Sequence, residues 1–307
     1  MSETLTHTEE EGAAFLSDQD AALRRWTHDT PGHIRIGSDE HRTMFCRMLL
    51  DTHDPYRPAV LDWPKLEPDA LRRLTSLPIW DIAVQTEGRA SIRVQTYANT
   101  VQNPLLREAI EMDAGEEARH KVVLSHLVRA YGIDLAPEPA YPPPKDPEWA
   151  WMFTGYSECI DSFFAFGLFR SAQRSGFFPA ALVDTFEPVI QEEARHILFF
   201  VNWVAWYRKT MPWWRRPWHS LRVGAIWVKL VWDRLAIARG IDTNGVAHDS
   251  NFLPANREVL GDALKPREMI ELCLAENEVR MSGYDARLLR PAFVPALARF
   301  ALRFMKQ

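Results

Sequence analysis

Cysteine is scarce in this 307-residue chain. Cys46, Cys159 and Cys273 stand far apart, odd in number and without a CxxC pair. That excludes a disulfide framework and a rubredoxin-type metal site, and it points to a reducing, cytoplasmic setting. No run of about 18 apolar residues occurs, so a membrane-spanning helix is not expected. The N-terminus lacks a basic stretch followed by an apolar one, so no signal peptide is expected. Alternating β-branched runs and internal repeats are also missing, which argues against a sheet or a solenoid. With 36 basic against 41 acidic residues the net charge is −5, so no nucleic-acid partner is expected. An apolar share of 47% and a charged share of 25% describe an ordinary globular chain rather than a disordered one.

The charge is unevenly spread. Glu3, Glu9, Glu10, Glu11, Asp18 and Asp20 share residues 1–20 with no Lys or Arg. Residues 208–240 carry eight bases against one acid, Asp233, a net +7. Nine of the twelve tryptophans fall between Trp149 and Trp232. Prolines break residues 1–77 into an irregular segment with short helices. Four long helical patterns follow within 78–209: about Pro78 to Gln102, Pro104 to Tyr131-Gly132, Glu148 to Ser175, and Pro179 to Lys209. Residues 210–307 form a basic, Trp-rich extension. It holds a helix from Pro217 to Gly240, another from Pro266 to about Leu289, and a short C-terminal helix. The fold class is therefore all-α, with a four-helix bundle at its centre.

Each long helix carries an apolar stripe that turns acidic in its middle. The second has Ile110, Asp113, Glu117, His120, Leu124 and Leu127 on one face, and the fourth has Phe186, Val189, Glu193, His196, Phe200 and Trp203. Glu87 stands on the stripe of the first helix and Glu158 on that of the third. Residues i and i+3 share a helix face, so Glu117/His120 and Glu193/His196 each aim one carboxylate and one imidazole the same way. Four carboxylates facing one core require a common cationic partner. Two helices giving Glu and two giving Glu-x-x-His form the ligand set of a di-iron or di-manganese carboxylate bundle. The metal ligands expected are Glu87, Glu117, His120, Glu158, Glu193 and His196. Such oxygen-rich donors suit two Fe ions, with Mn or mixed Mn/Fe as the alternative.

The repeated segments read Glu116-Glu117-Ala118-Arg119-His120 and Glu192-Glu193-Ala194-Arg195-His196. They resemble the [DE]-E-x-R-H pattern of the ferritin-like superfamily, especially acyl-carrier desaturases and bacterial multicomponent monooxygenase hydroxylases, over residues 78–209. The resemblance implies that Glu116 orients His196 and Glu192 orients His120, with Arg119 and Arg195 neutralising those carboxylates; surface salt bridges are the other reading. It also implies a crossover between the second and third helices. The proline-rich stretch Gly132–Pro147, at ~3.1 Å per residue, can span about 50 Å. Some relatives fit poorly. Ribonucleotide reductase radical subunits have a tyrosine where Leu124 stands, rubrerythrins need cysteine pairs, and arylamine N-oxygenases put an extra histidine where Asp113 and Val189 stand.

The expected activity is that of a non-haem di-iron oxidoreductase using O2 as co-substrate: a monooxygenase, desaturase or oxidase acting on an organic, apolar molecule. No flavin, nicotinamide or ferredoxin motif is present, so an external electron-donor protein is expected. Relatives often carry a hydroxyl residue one turn after the third-helix Glu. Ser162 takes that place, with Asp161 beside it, for proton delivery or simply for packing. Phe163, Phe164, Phe166, Phe169, Phe177 and Phe178 form either core or a substrate channel. The Trp- and Arg-rich stretch 203–232 and the C-terminal helix, with Arg299, Arg303 and Lys306 on one face, suit peripheral membrane contact, docking on the acidic remainder, or a homodimer interface. Glu271, Glu276 and Glu278 read as a charged face. A different class remains open: a metal-handling or peroxide-detoxifying protein without an organic substrate. A deep apolar cavity abutting the metals favours the oxidoreductase; a small polar site open to water favours the alternative. A membrane-surface scaffold with a vestigial centre is a third reading.

Overall fold

A computed structural model describes residues 23–58, 61–77, 79–238 and 265–305, the side chains of 236–238 excepted. The acidic residues of 1–20, together with Pro78, Arg239, Gly240 and Lys306, lie outside them. Local chemistry sets the helix ends. The Asn103 side chain accepts from Leu106 N at 3.0 Å and Pro104 opens the next turn, so a helix starts there. Asp146 and Pro147 do the same one helix later, and Gly176, with φ +64°, ends that helix in the left-handed conformation.

The resulting helices are α1 Asp39–Asp51, α2 Pro68–Ser76, α3 Trp80–Ala98, α4 Pro104–Ala130, α5 Pro147–Ser175, α6 Ala180–Thr210, α7 Arg216–Ala238, α8 Pro266–Met281 and α9 Phe293–Leu302. The fold is all-α. Among the described residues there is no strand, only an isolated parallel bridge between Trp26 and Tyr284. Also among them, no helix is long and apolar enough to cross a membrane.

α3 packs along α4, α5 along α6, and α3 against α5. The connection from α4 to α5 runs back beside α3: Ala136 N donates to Asp81 at 2.8 Å, and Tyr141 lies against Gly88. α1 fits against α6 and α4, and α8 against α5. One apolar cluster, centred on Trp151, Phe199, Phe200 and Trp203, fills one end of these helices. A smaller one, built by Leu74, Trp80, Leu127 and Leu182, closes the other end beneath α2.

Two expectations need correction. The helix from Pro266 stops at Met281 rather than Leu289, because Gly283 must lie directly on the backbone of Arg24, where any side chain would collide. Glu276 is buried and pairs with Arg170 of α5 at 3.2 Å, so it is not part of a charged face; Glu271 and Glu278 are exposed.

Candidate metal centre

Between the two apolar clusters, helices α3 to α6 bring acids and imidazoles together. Glu87 comes from α3. Glu116, Glu117 and His120 come from α4, Glu158 and Ser162 from α5, and Glu192, Glu193 and His196 from α6. Neither of the two central glutamates faces solvent: Glu117 is 2% exposed, and the Glu193 side chain 15%.

Both imidazoles are fully buried and wired alike. His120 Nε2 lies 2.8 Å from Glu192 Oε2, and His196 Nε2 lies 2.8 Å from Glu116 Oε2. With Nε2–H donating to a carboxylate, each Nδ1 lone pair is turned toward the acids. His120 Nδ1 is 3.3 Å from Glu193 Oε1 and 3.8 Å from Glu87 Oε2. His196 Nδ1 is 2.9 Å from Glu117 Oε1 and 3.8 Å from Asp113 Oδ1.

Arginines stand behind these anchors. The fully buried Arg195 donates Nη1–H to both oxygens of Glu116 at 3.0 Å, Nε–H to Thr52 at 2.7 Å, and Nη2–H to Leu49 O at 2.6 Å. Arg119 donates to Glu192 and lies 4.3 Å over the Tyr56 ring. His53 Nδ1 is 2.6 Å from Glu116 Oε1.

The electrostatics follow. Burial pushes the Glu117 carboxyl well above the usual range, helped by repulsion from Glu87. Glu158 is raised in the same way, by burial and then by Glu117. Burial opposes the ionisation of Glu116, but the Arg195 charge and the His196 hydrogen bond prevail and hold it well below. Burial likewise opposes a proton on either histidine. Glu192 overrides it at His120, and Asp113 and Glu116 override it at His196, so both are raised well above the ordinary value.

These residues pass a direct test of fitness for metal. Asp113 Oδ1, Glu117 Oε1, Glu158 Oε1 and both inward Nδ1 atoms are buried without a well-formed hydrogen bond, a cost that a cation among them would relieve. Two groups of donors converge, each within 4.8 Å: Glu87, Glu117, His120 and Glu193, and then Asp113, Glu117 and His196. Both can hold a metal ion, and Glu117 belongs to both. Glu158 falls in neither group, although its orphaned oxygen lies among the same charges. Asp113 occupies the second group instead. It stands on the α4 stripe one turn before Glu117, a signal that periodicity carried but could not separate from core.

Asp161, expected beside Ser162, is ion-paired: Arg234 of α7 donates to both its oxygens at 2.7 Å and Ser157 donates at 2.9 Å. Ser162 donates Oγ–H to Glu193 Oε2 at 3.0 Å.

An adjoining cavity of about 280 Å³ is walled by Glu87, Glu117, His120, Glu158 and Glu193 at one side. From there it runs to Leu74 and Leu77 at α2, past Leu124, Phe169, Phe186 and Val189. Phe169 and Phe178 line it, whereas Phe163 and Phe166 are packed core. No known protein family, curated protein or solved structure matches this chain.

Proposed function

We propose that the protein is a non-haem di-iron oxidoreductase of ferritin-like, four-helix-bundle architecture that uses O2 to oxidise a hydrophobic organic molecule. The observation that supports this reading is the cavity: an almost wholly apolar space whose inner wall is made of the candidate ligands. A metal-handling or peroxide-detoxifying centre is served by a wet, polar approach instead. Glu87, Glu117, His120, Glu158, Glu193 and His196 would hold the ions, with Asp113 beside His196. Two iron ions there would supply O2 activation, with electrons from a separate donor protein.

The chain's own residues divide the remaining work. Glu116 and Glu192 hold the imidazoles in the tautomer whose Nδ1 faces inward. The Ser162 hydroxyl sits at the cavity wall with its proton on Glu193 Oε2, where it can be passed to or from that carboxylate. The leucine, valine and phenylalanine walls exclude water and receive an apolar body.

Anaerobic titration with Fe(II) tests the assignment. About two irons per chain are expected, with none retained after Glu117→Ala or Glu193→Ala. Failure of the unaltered chain to bind iron overturns the metal reading. Ala165→Phe, which fills the cavity next to Ser162, separates the two activities. The loaded protein, given a chemical reductant, is expected to consume O2 faster in the presence of alkanes or alkylbenzenes, and the variant to bind iron without that response. Two bound irons with no response to any apolar compound would favour the metal-handling alternative.

A further inference from the structure

α7 departs from the usual arrangement of a surface helix. Its inward face is held by His219, Ile226 and Leu230, all buried. Its outward face should be polar, yet Trp218, Leu221, Ala225, Val228, Trp232 and Leu235 follow one another there in steps of three and four, all exposed. Trp218 is 65% exposed and Val228 71%. Trp213 and Trp214 extend the apolar surface through the preceding turn.

α9 repeats the pattern with Phe293, Leu297, Phe300 and Phe304, the last 74% exposed. The two helices adjoin, since the Trp227 and Phe293 rings lie 4.6 Å apart. The exposed charges that these segments themselves carry are basic: Arg208, Lys209 and Arg215 before α7, Arg299 on α9 and Arg303 just after it; the exposed acids beside them, Asp146 and Glu271, are paired with Arg222 and Arg267. The single acid of α7, Asp233, is engaged by Lys229 at 2.8 Å.

We propose that the α7–α9 face is a membrane-surface anchor that lies in the interface of an anionic lipid bilayer. Tryptophan and phenylalanine insert among the headgroups while the arginines meet lipid phosphates, the division of labour of interfacial helices. Charge complementarity decides between occupants. A second copy across a two-fold axis would set this basic rim against itself, whereas an anionic bilayer offers apolar depth and opposite charge together. Neither helix is both long and apolar enough to cross, so the chain rests on one leaflet.

Co-sedimentation of the full chain with phosphatidylcholine vesicles, with and without phosphatidylglycerol, tests this. Binding is expected to the anionic vesicles and to fall with salt. Arg299→Glu with Arg303→Glu should weaken it about fivefold or more per charge. Trp218→Ser with Trp232→Ser should abolish it; both sites are exposed, so the circular dichroism spectrum should stay unchanged. Hydrogen exchange should slow in α7 and α9 on vesicles and nowhere else. Equal binding to neutral vesicles, absence of binding, or a lipid-free dimer that the Trp variant dissociates would each overturn the proposal.

Discussion

Glu116 shows how much a single buried carboxylate does here. It receives Arg195, His196 and His53 at once, all within 3.0 Å. Replacing it by Gln leaves a fully buried guanidinium without its counter-charge, a loss on the order of 3–5 kcal/mol. It also frees His196, with metal affinity falling about 10- to 100-fold. Urea denaturation and a metal titration of Glu116→Gln read both; unaltered stability would mean that Arg195 does not depend on this pair. At this scale the sequence was legible where a motif repeats. The doubled Glu-Glu-Ala-Arg-His named the histidines and their anchors, and the structure brings those residues together across α4 and α6. Thr52 and His53 carried no such signal, because they reach Arg195 and Glu116 from more than sixty residues away, a distance no spacing rule bridges.

Among the elements, the long helices could be read closely because their ends are written in Asn-Pro, Asp-Pro and Gly. Residues 39–51 were harder, being a single helix in a proline-broken region, yet α1 and the Thr52 that caps it supply Leu49 O and a hydroxyl to Arg195. The overlong reading of α8 has the same origin. Apolar periodicity continues beyond Met281, where Gly283 closes onto the backbone of Arg24. Close approach also governs α5 against α8: a Cβ on Gly167 would press on Cys273, its side chain and its backbone N at 3.0 Å. Gly167→Ala should therefore lower stability by about 1–3 kcal/mol. Gly115→Ala, on the open face of α4 with nothing within 4 Å, should be neutral or stabilising by up to about 1 kcal/mol. Paired chemical denaturation curves compare them, and equal shifts would refute the packing argument.

On the scale of the whole molecule, two segments far apart in sequence are clasped. Asp285 accepts from His28 N at 3.1 Å, while Arg287 binds Asp285 and donates to the carbonyls of His28, Thr30 and Gly32. The Arg287 hydrogen bond draws the Asp285 carboxyl down from 3.8 to about 2. A depressed folded-state value means that the stabilisation is complete above the unfolded value near 3.8 and drains away as pH falls through 2. With solvent screening allowed for, it amounts to about 1 kcal/mol. The melting temperatures of the parent chain and Asp285→Asn should differ at pH 6 and converge toward pH 2; a constant gap would place the effect elsewhere. The charge asymmetry of the chain was visible from composition, but which side of α7 meets solvent was not, since that helix is apolar on both. The clasp also bears on biogenesis. Its halves are separated by 257 residues, so a nascent chain emerging from the ribosome carries His28 unmated until Asp285 has been made. Closure of the ring then belongs to the last moments of folding, when contacts so distant along the chain can finally offset their entropy.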